Sequence, residues 1–429
     1  MMAARTSPSL AARSRSVMGL VAALLLAAAC TPPARSQAPA GDDEVQAVVI
    51  RVAGALDGTG GRIGPSDIVV VDGIITGILP AGRGRGVVYD LGDAIALPGL
   101  IDTHVHLGWH FDREGRTQSA EVEETAEESV LYGAENALVT LRSGVTTVQS
   151  LGAAVDKELR DAFARGILPG PRVLTSLGAI GAWLGDDVNA YRTRVQELAA
   201  AGADVIKIFA SASIRDGGPP TLSQQQLDAV CGEASRLGLR TVAHAHGPES
   251  ARRAALAGCT TIEHGALLDR ETLELLAEHG MFYDPNIDLV FRNYFENQDR
   301  FLGVGNYTEE GFDQMRAAVP KALAAFREAL TVADLRVVFG TDAVAGAHGR
   351  NYQELVYRVE TGGQPAMDAI VSATSLAAES LGLGAEIGTL AAGMRADIIA
   401  TTGNPAEDIS ALGRVVFVMA SGHVIRHDP

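Results

Sequence analysis

The chain has 429 residues, 47% of them apolar and 20% charged, which suits a large buried core and excludes an intrinsically disordered protein. Its formal net charge of -17 speaks against binding nucleic acid or an anionic membrane surface by bulk electrostatics. The length allows two or three domains, or one large barrel with an appendage, and the 48 glycines fit many tight strand-to-helix turns.

Taken in order, the chain opens on an export signal. Arg5, Arg13 and Arg15 precede an apolar run at 18–29, too short to anchor in a bilayer but of signal-peptide length. The run ends Ala27-Ala28-Ala29-Cys30, small residues followed by a cysteine, which resembles a bacterial lipoprotein lipobox with Ala27 where leucine is usual. Residues 1–30 are therefore read as signal peptide and lipobox, and the Pro/Ala/Ser-rich 31–43 as a linker. The expected location is the periplasm or, through a lipid anchor at Cys30, the outer membrane, with secretion if Cys30 is not lipidated. Cys231 and Cys259 are read as buried free thiols.

Residues 44–97 are short β-rich runs between glycine turns, with Asp72-Gly73 as a hairpin signal, and 385–429 reads likewise. Two β-rich ends around a different middle predict one small β-sandwich domain built from both termini. From 98 to 384 strands and helices alternate. Strands are expected at 145–149, 172–177, 204–209, 240–244, 260–264, 281–284 and 336–340, and helices include 121–142, 189–201, 223–237 and 271–279. With an opening strand before His104, this is eight βα units, the pattern of a (β/α)8 TIM barrel, whose functional residues sit at C-terminal strand ends. A doubly wound sheet is the alternative, but no Gly-x-Gly-x-x-Gly turn follows the first parallel strand.

The predicted strand ends carry the chemistry. The first reads Leu97-Pro98-Gly99-Leu100-Ile101-Asp102-Thr103-His104-Val105-His106, and a strand's period of two puts both histidines on one face. The fourth carries Lys207 among Val205, Ile206, Ile208 and Phe209, and a buried lysine is costly unless paired or neutral. The fifth ends His244-Ala245-His246-Gly247, the sixth Ile262-Glu263-His264-Gly265, and the eighth Gly340-Thr341-Asp342. Singly, His244 or His264 could be a core histidine and Asp342 a helix cap. Gathered in one pocket, imidazoles and a carboxylate suit two divalent ions, zinc foremost. Such ions need a bridging anion, and a lysine that has captured carbon dioxide supplies one.

These five stretches, with the closing Gly388-Thr389-Leu390 and Gly393-Met394-Arg395-Ala396-Asp397 as a sixth, resemble the amidohydrolase superfamily over nearly everything after the leader. Within it the chain is similar to Xaa-Pro and related dipeptidases, imidazolonepropionase-like proteins and ochratoxin-hydrolysing amidohydrolases. The resemblance implies that His104 and His106 bind the more buried ion, His244 and His264 the more exposed one, and a carboxylated Lys207 bridges them. It makes Asp342 both a ligand and the general base, then acid. Lys207 counts against imidazolonepropionase activity, which uses one metal. His246 is expected to touch the substrate carbonyl or carboxylate, with Tyr283, Asn286, His348 and Trp109 as further pocket residues. Two departures, Gln149-Ser150 after the second strand and the aromatic Trp109-His110-Phe111 loop, fall near substrate rather than metal.

The function so implied is hydrolysis of an amide or peptide bond next to a free carboxylate, by metal-activated hydroxide and without a covalent intermediate. Dipeptides, N-acyl amino acids and ochratoxin-like amides are the substrate classes. Cyclic amide or lactone hydrolysis on the same site is an alternative, as is a non-catalytic metal-binding lipoprotein, although a drifting site should lose Asp342 early. No Gly-x-Ser-x-Gly elbow offers a competing nucleophile. The chain is expected to act on a small molecule as a homo-oligomer, and to meet a membrane only through its lipid anchor.

Overall fold

In a computed structural model, the residues described are 46–118 and 123–428. The expected signal peptide, linker and Cys30 lie outside them. Among the described residues no helix is long and apolar enough to cross a membrane.

Both chain ends contribute to one six-stranded sheet, in which Ile95–Pro98 runs antiparallel to Ile398–Thr401, Ile398 opposite Pro98. A four-stranded sheet is made from Val48–Val52, Ser66–Val71, Ile74–Pro80 and Val87–Asp90. Asp72 and Gly73 turn its hairpin with left-handed backbones, φ 50° and 74°, as the Asp-Gly signal requires. Ile50, Ile68 and Ile75 from this sheet pack with Ile398, Phe417 and Met419 from the other in one buried cluster. Alternating apolar residues thus close a core between the sheets, and the termini are joined by burial rather than by sequence proximity.

The middle of the chain is a mixed α/β fold on parallel strands. Leu100–Val105, Val145–Ser150 and Arg172–Thr175 form one parallel sheet. Ala179–Ile180, Val205–Phe209, Arg240–Ala245, Thr261–His264, Phe282–Asp284 and Arg336–Val337 form another. Backbone bonds join the two on both flanks, among them Asp204 N donating to Thr175 O at 2.8 Å and Thr103 N to Phe339 O at 2.9 Å. Helices fill the connections and start on caps the sequence supplies. Thr125 and Glu128 form a capping box at Ala126–Arg142, and Ser223 with Gln226 forms one at Gln224–Arg236.

Gly99 marks the handover between the β-rich region and the parallel strands. A Cβ there would lie 2.1 Å from Thr146 Oγ1, so only glycine lets the two strands approach. The final strand is shorter than expected, Arg336–Val337 rather than 336–340, because its continuation pairs by separate bonds with the first strand. Phe339 O accepts from Thr103, and Asp342 N donates to His104 O at 2.8 Å. The thiol expectation is overturned: Cys231 and Cys259 form a disulfide, their Cα atoms 5.2 Å apart. Helix Gln224–Arg236 brings Cys231 beside the turn that precedes Thr261–His264, within bridging distance.

Candidate active site

Each strand end delivers its side chains to one cavity. His104, His106, Lys207, His244, His246, His264 and Asp342 all line it, together with Trp109, Phe209, Arg215 and an apolar wall of Val290, Phe291 and Met315. Its empty space is about 670 Å³, open mouth included.

The tightest part is a three-residue set. Asp342 Oδ1 lies 3.0 Å from His106 Nε2 and 3.4 Å from His104 Nε2, and the three residues could hold one ion. Lys207 Nζ lies 3.1 Å from the same His104 Nε2. Facing this set, the rings of His244, His246 and His264 have centroids 4.5–4.9 Å apart, and His264 stands 5.2 Å from His104. Asp342 and His264 both have left-handed backbones, φ 51° and 68°. For residues with a Cβ this is strained, and it aims both side chains where a regular strand would not.

The electrostatics follow from burial. Desolvation holds His104, His244 and His264 well below the usual imidazole range and pushes His246 down to about 3. Burial also lowers the Lys207 ammonium. Burial works to raise Asp342, but His104 and His106 outweigh it and bring the carboxyl down to about 2. The cavity therefore presents neutral imidazoles at His104, His244, His246 and His264, an amine inclined to lose its proton and one carboxylate. His246 Nδ1 has no hydrogen-bond partner although buried. His104 Nε2 and His106 Nε2 beside the Asp342 carboxylate form a donor set that fits a divalent cation.

Behind the cavity a second layer holds the first strand. His104 Nδ1 stands 2.7 Å from Glu263 Oε2, close enough to fix the ring, although both atoms lack an aligned hydrogen bond. Burial raises Glu263 to about 7, and lifts Asp284 well above the carboxylate range. Asp284 accepts from Thr103 Oγ1 at 2.9 Å and lies 3.5 Å from Arg358, which is fully buried. His104, Glu263 and Asp284 also sit close enough to hold an ion, but Arg358 already supplies the positive charge there. Gly340 is compelled by this layer, since a Cβ would come 1.8 Å from Asp284 Oδ2. Asp102, raised by burial to about 7, accepts from Thr341 Oγ1 and Asn351 Nδ2, both at 2.7 Å.

Residues 95–425 match the amidohydrolase family. The chain belongs to that family. Ochratoxinase of Aspergillus niger is 28% identical over 413 residues, covering 86% of this chain and 84% of the relative. A solved Xaa-Pro dipeptidase with methionine bound in its active site is 31% identical, covering 88% of this chain and 99% of its own, with a TM-score of 0.79. A putative prolidase from Bifidobacterium longum is 28% identical, covering 90% and 96%, with a TM-score of 0.76. The chain is an enzyme, a hydrolase of C–N amide bonds.

In this amidohydrolase the residues expected at the site divide into two groups. The six expected ligands, His246 and Trp109 come together, with Trp109 stacked 4.8 Å from the His106 ring. Tyr283, Asn286 and His348 do not line the cavity. The Tyr283 hydroxyl donates to His264 O at 3.2 Å, and Asn286 Nδ2 donates to Asp284 Oδ1 at 3.0 Å. His348 lines a separate hollow beside His110 and Tyr132. Arg215, Glu263, Asp284 and Arg358 were not singled out from sequence. Glu263 directly precedes an expected ligand, and strand alternation would turn it away; the left-handed backbone at His264 removes that alternation. Arg215 lies in a loop turn, where no periodicity exists to read.

Proposed function

We propose that the chain is an exported, binuclear metal-dependent amidohydrolase that cleaves an amide or peptide bond next to a free carboxylate. The observation that carries this reading is the convergence of His104, His106, Lys207, His244, His264 and Asp342 on one cavity. The nine strands of the two parallel sheets, joined by backbone bonds on both flanks, are taken as the eight of a (β/α)8 barrel, Arg172–Thr175 and Ala179–Ile180 counting as one interrupted strand. The two β-sheets that share a core are taken as the small β-sandwich. Similarity to ochratoxinase and to a Xaa-Pro dipeptidase supports dipeptides, N-acyl amino acids and ochratoxin-like amides as substrates. The disulfide supports export, since such bonds persist in oxidising compartments.

His104, His106 and Asp342 would hold one ion, His244 and His264 a second, and a carboxylated Lys207 would lie between them, zinc being the metal this donor set suits best. When bound, two such ions make water a nucleophile near neutral pH and polarise the scissile carbonyl. Lys207 is suited to carboxylation because burial favours its neutral amine, the form that takes up carbon dioxide. Asp342, kept ionised by His104 and His106, accepts a proton from the attacking water and returns it to the leaving nitrogen. His246, neutral and with a free ring nitrogen, presents one N–H to the substrate carbonyl oxygen. Glu263 holds the His104 ring so that Nε2 faces the cavity.

The test is bound metal followed by Asp342→Asn. Wild-type protein should carry about two zinc ions per chain and release amino acids from acylated substrates. Asp342→Asn should fold, as judged by near-UV circular dichroism, yet lose activity by at least about 100-fold. Full activity in Asp342→Asn would refute the assignment.

A further inference from the structure

The cavity holds one cation that the proposed chemistry leaves unused. Arg215 lies in the single turn Ile214–Asp216, on the loop after strand Val205–Phe209, and its side chain lines the same cavity as His246 and Asp342. It is anchored from behind. Nε donates to Asn306 Oδ1 at 2.9 Å, and the guanidinium lies 4.1 Å from the centroid of the Tyr307 ring. Helix Glu309–Ala329 backs it closely, since a Cβ added at Gly311 would come 3.3 Å from Arg215 Cβ. Among the described residues no carboxylate lies within ion-pair distance of the guanidinium. The acid that acts on it is Asp342, already committed to His104 and His106.

A partly desolvated guanidinium fixed on one edge and one face, with no acid of its own, is built to meet an anion from outside. Its planar fork matches a carboxylate with two parallel N–H···O bonds. Val290, Phe291 and Met315 line the same cavity and favour an apolar side chain on the ligand that carries the anion. We infer that Arg215 receives the free carboxylate of the substrate, so that the chain selects acylated amino acids and dipeptides ending in an apolar residue with an unblocked carboxyl group. This deepens the amidohydrolase reading above and rests on it. The contact is made by substrate and transition state alike, so its loss should appear in KM more than in kcat.

The test uses the metal-loaded full chain and pairs a carboxylate with its neutral amide. N-acetyl-L-phenylalanine and N-acetyl-L-phenylalaninamide are compared by acetate release, and L-phenylalanine and L-phenylalaninamide by calorimetric binding. Wild type should prefer the carboxylate member by about 10- to 100-fold in each pair, the range of a charge-assisted bond. Arg215→Met should abolish the preference, lowering kcat/KM for the carboxylate mainly through KM and changing the amide by less than about threefold. Arg215→Lys should restore part of the preference, because it keeps the charge but not the fork. Equal losses on both members, or an intact preference in Arg215→Met, would overturn the assignment. If neither acetyl compound is cleaved, the binding pair decides. A preference for L-phenylalanine that vanishes in Arg215→Met upholds Arg215 while N-acetyl-L-phenylalanine falls as a substrate, and no preference in wild type overturns Arg215 on its own.

Discussion

Arg358 is the residue whose loss should be felt at both ends of the metal-facing layer. It is fully buried, 3.2 Å from Glu354 and 3.5 Å from Asp284, and donates to Val338 O at 2.7 Å. Val338 begins the run to Asp342, and Asp284 accepts from Thr103, the neighbour of His104. Arg358→Met removes a cation from between two buried carboxyl groups while keeping apolar volume. Breaking a buried ion pair in this way costs about 3–5 kcal/mol. The lower end applies here. Burial lifts Asp284 well above the carboxylate range and so weakens its need for a cation, and Glu354 keeps three backbone donors, from Ile287, Asp288 and Leu289. A folded body of ~385 residues has an unfolding entropy of about 0.8 kcal/mol per kelvin, so ~3 kcal/mol lowers the melting midpoint by about 4 °C. Scanning calorimetry at pH 7.5 and fixed zinc checks this, since bound metal itself moves the midpoint. Weaker zinc retention should accompany the shift. A midpoint within about 1 °C of wild type, with zinc content unchanged, would refute the view that this layer supports the site.

Lys207→Ala should lose activity and regain part of it when short carboxylic acids are added, because they replace a bridging carbamate; full activity without them would exclude that bridge. Burial pushes His348 down to about 4, whereas an unfolded histidine titrates near 6.5. The unfolded chain therefore binds the extra proton, and this group's contribution to stability is lost as the pH falls from about 7.5 to 5, by ~2 kcal/mol. His348→Gln removes that slope, so its melting midpoint should gain about 2–3 °C relative to wild type across the same interval; parallel melting curves would contradict it. Cys231→Ser should lower stability by about 3 kcal/mol by opening a loop of 28 residues, and Cys231 and Cys259 should resist thiol reagents until reduced.

The sequence made the convergence of these side chains on one cavity legible because a metal centre would demand specific residue types at strand ends, and strand ends are marked by apolar runs. His104 and His106 could be placed on one face from a period of two alone. The same rule failed at Glu263, because His264 leaves the β region at φ 68° and the alternation stops there. Tyr283 lies within strand Phe282–Asp284 and Asn286 just after it, yet they bond to His264 O and Asp284 instead of facing the cavity. Their direction depends on packing that no local pattern encodes. The disulfide and Arg215 were hidden for a related reason: each depends on two segments distant in sequence, Cys231 with Cys259 and the loop after Lys207 with helix Glu309–Ala329. Gly99 and Gly340 looked like ordinary turn residues, but each is required by a side chain on another strand, Thr146 and Asp284.

The central claim is that the convergent histidines, Lys207 and Asp342 hydrolyse an amide next to a free carboxylate. Its most direct test is amino-acid release by the zinc-loaded full chain from N-acyl amino acids, Xaa-Pro dipeptides and an ochratoxin-like amide. Turnover of at least one class is expected, abolished by removing the metal and restored by returning zinc. Absence of release from every class by protein shown to hold its metal would contradict it.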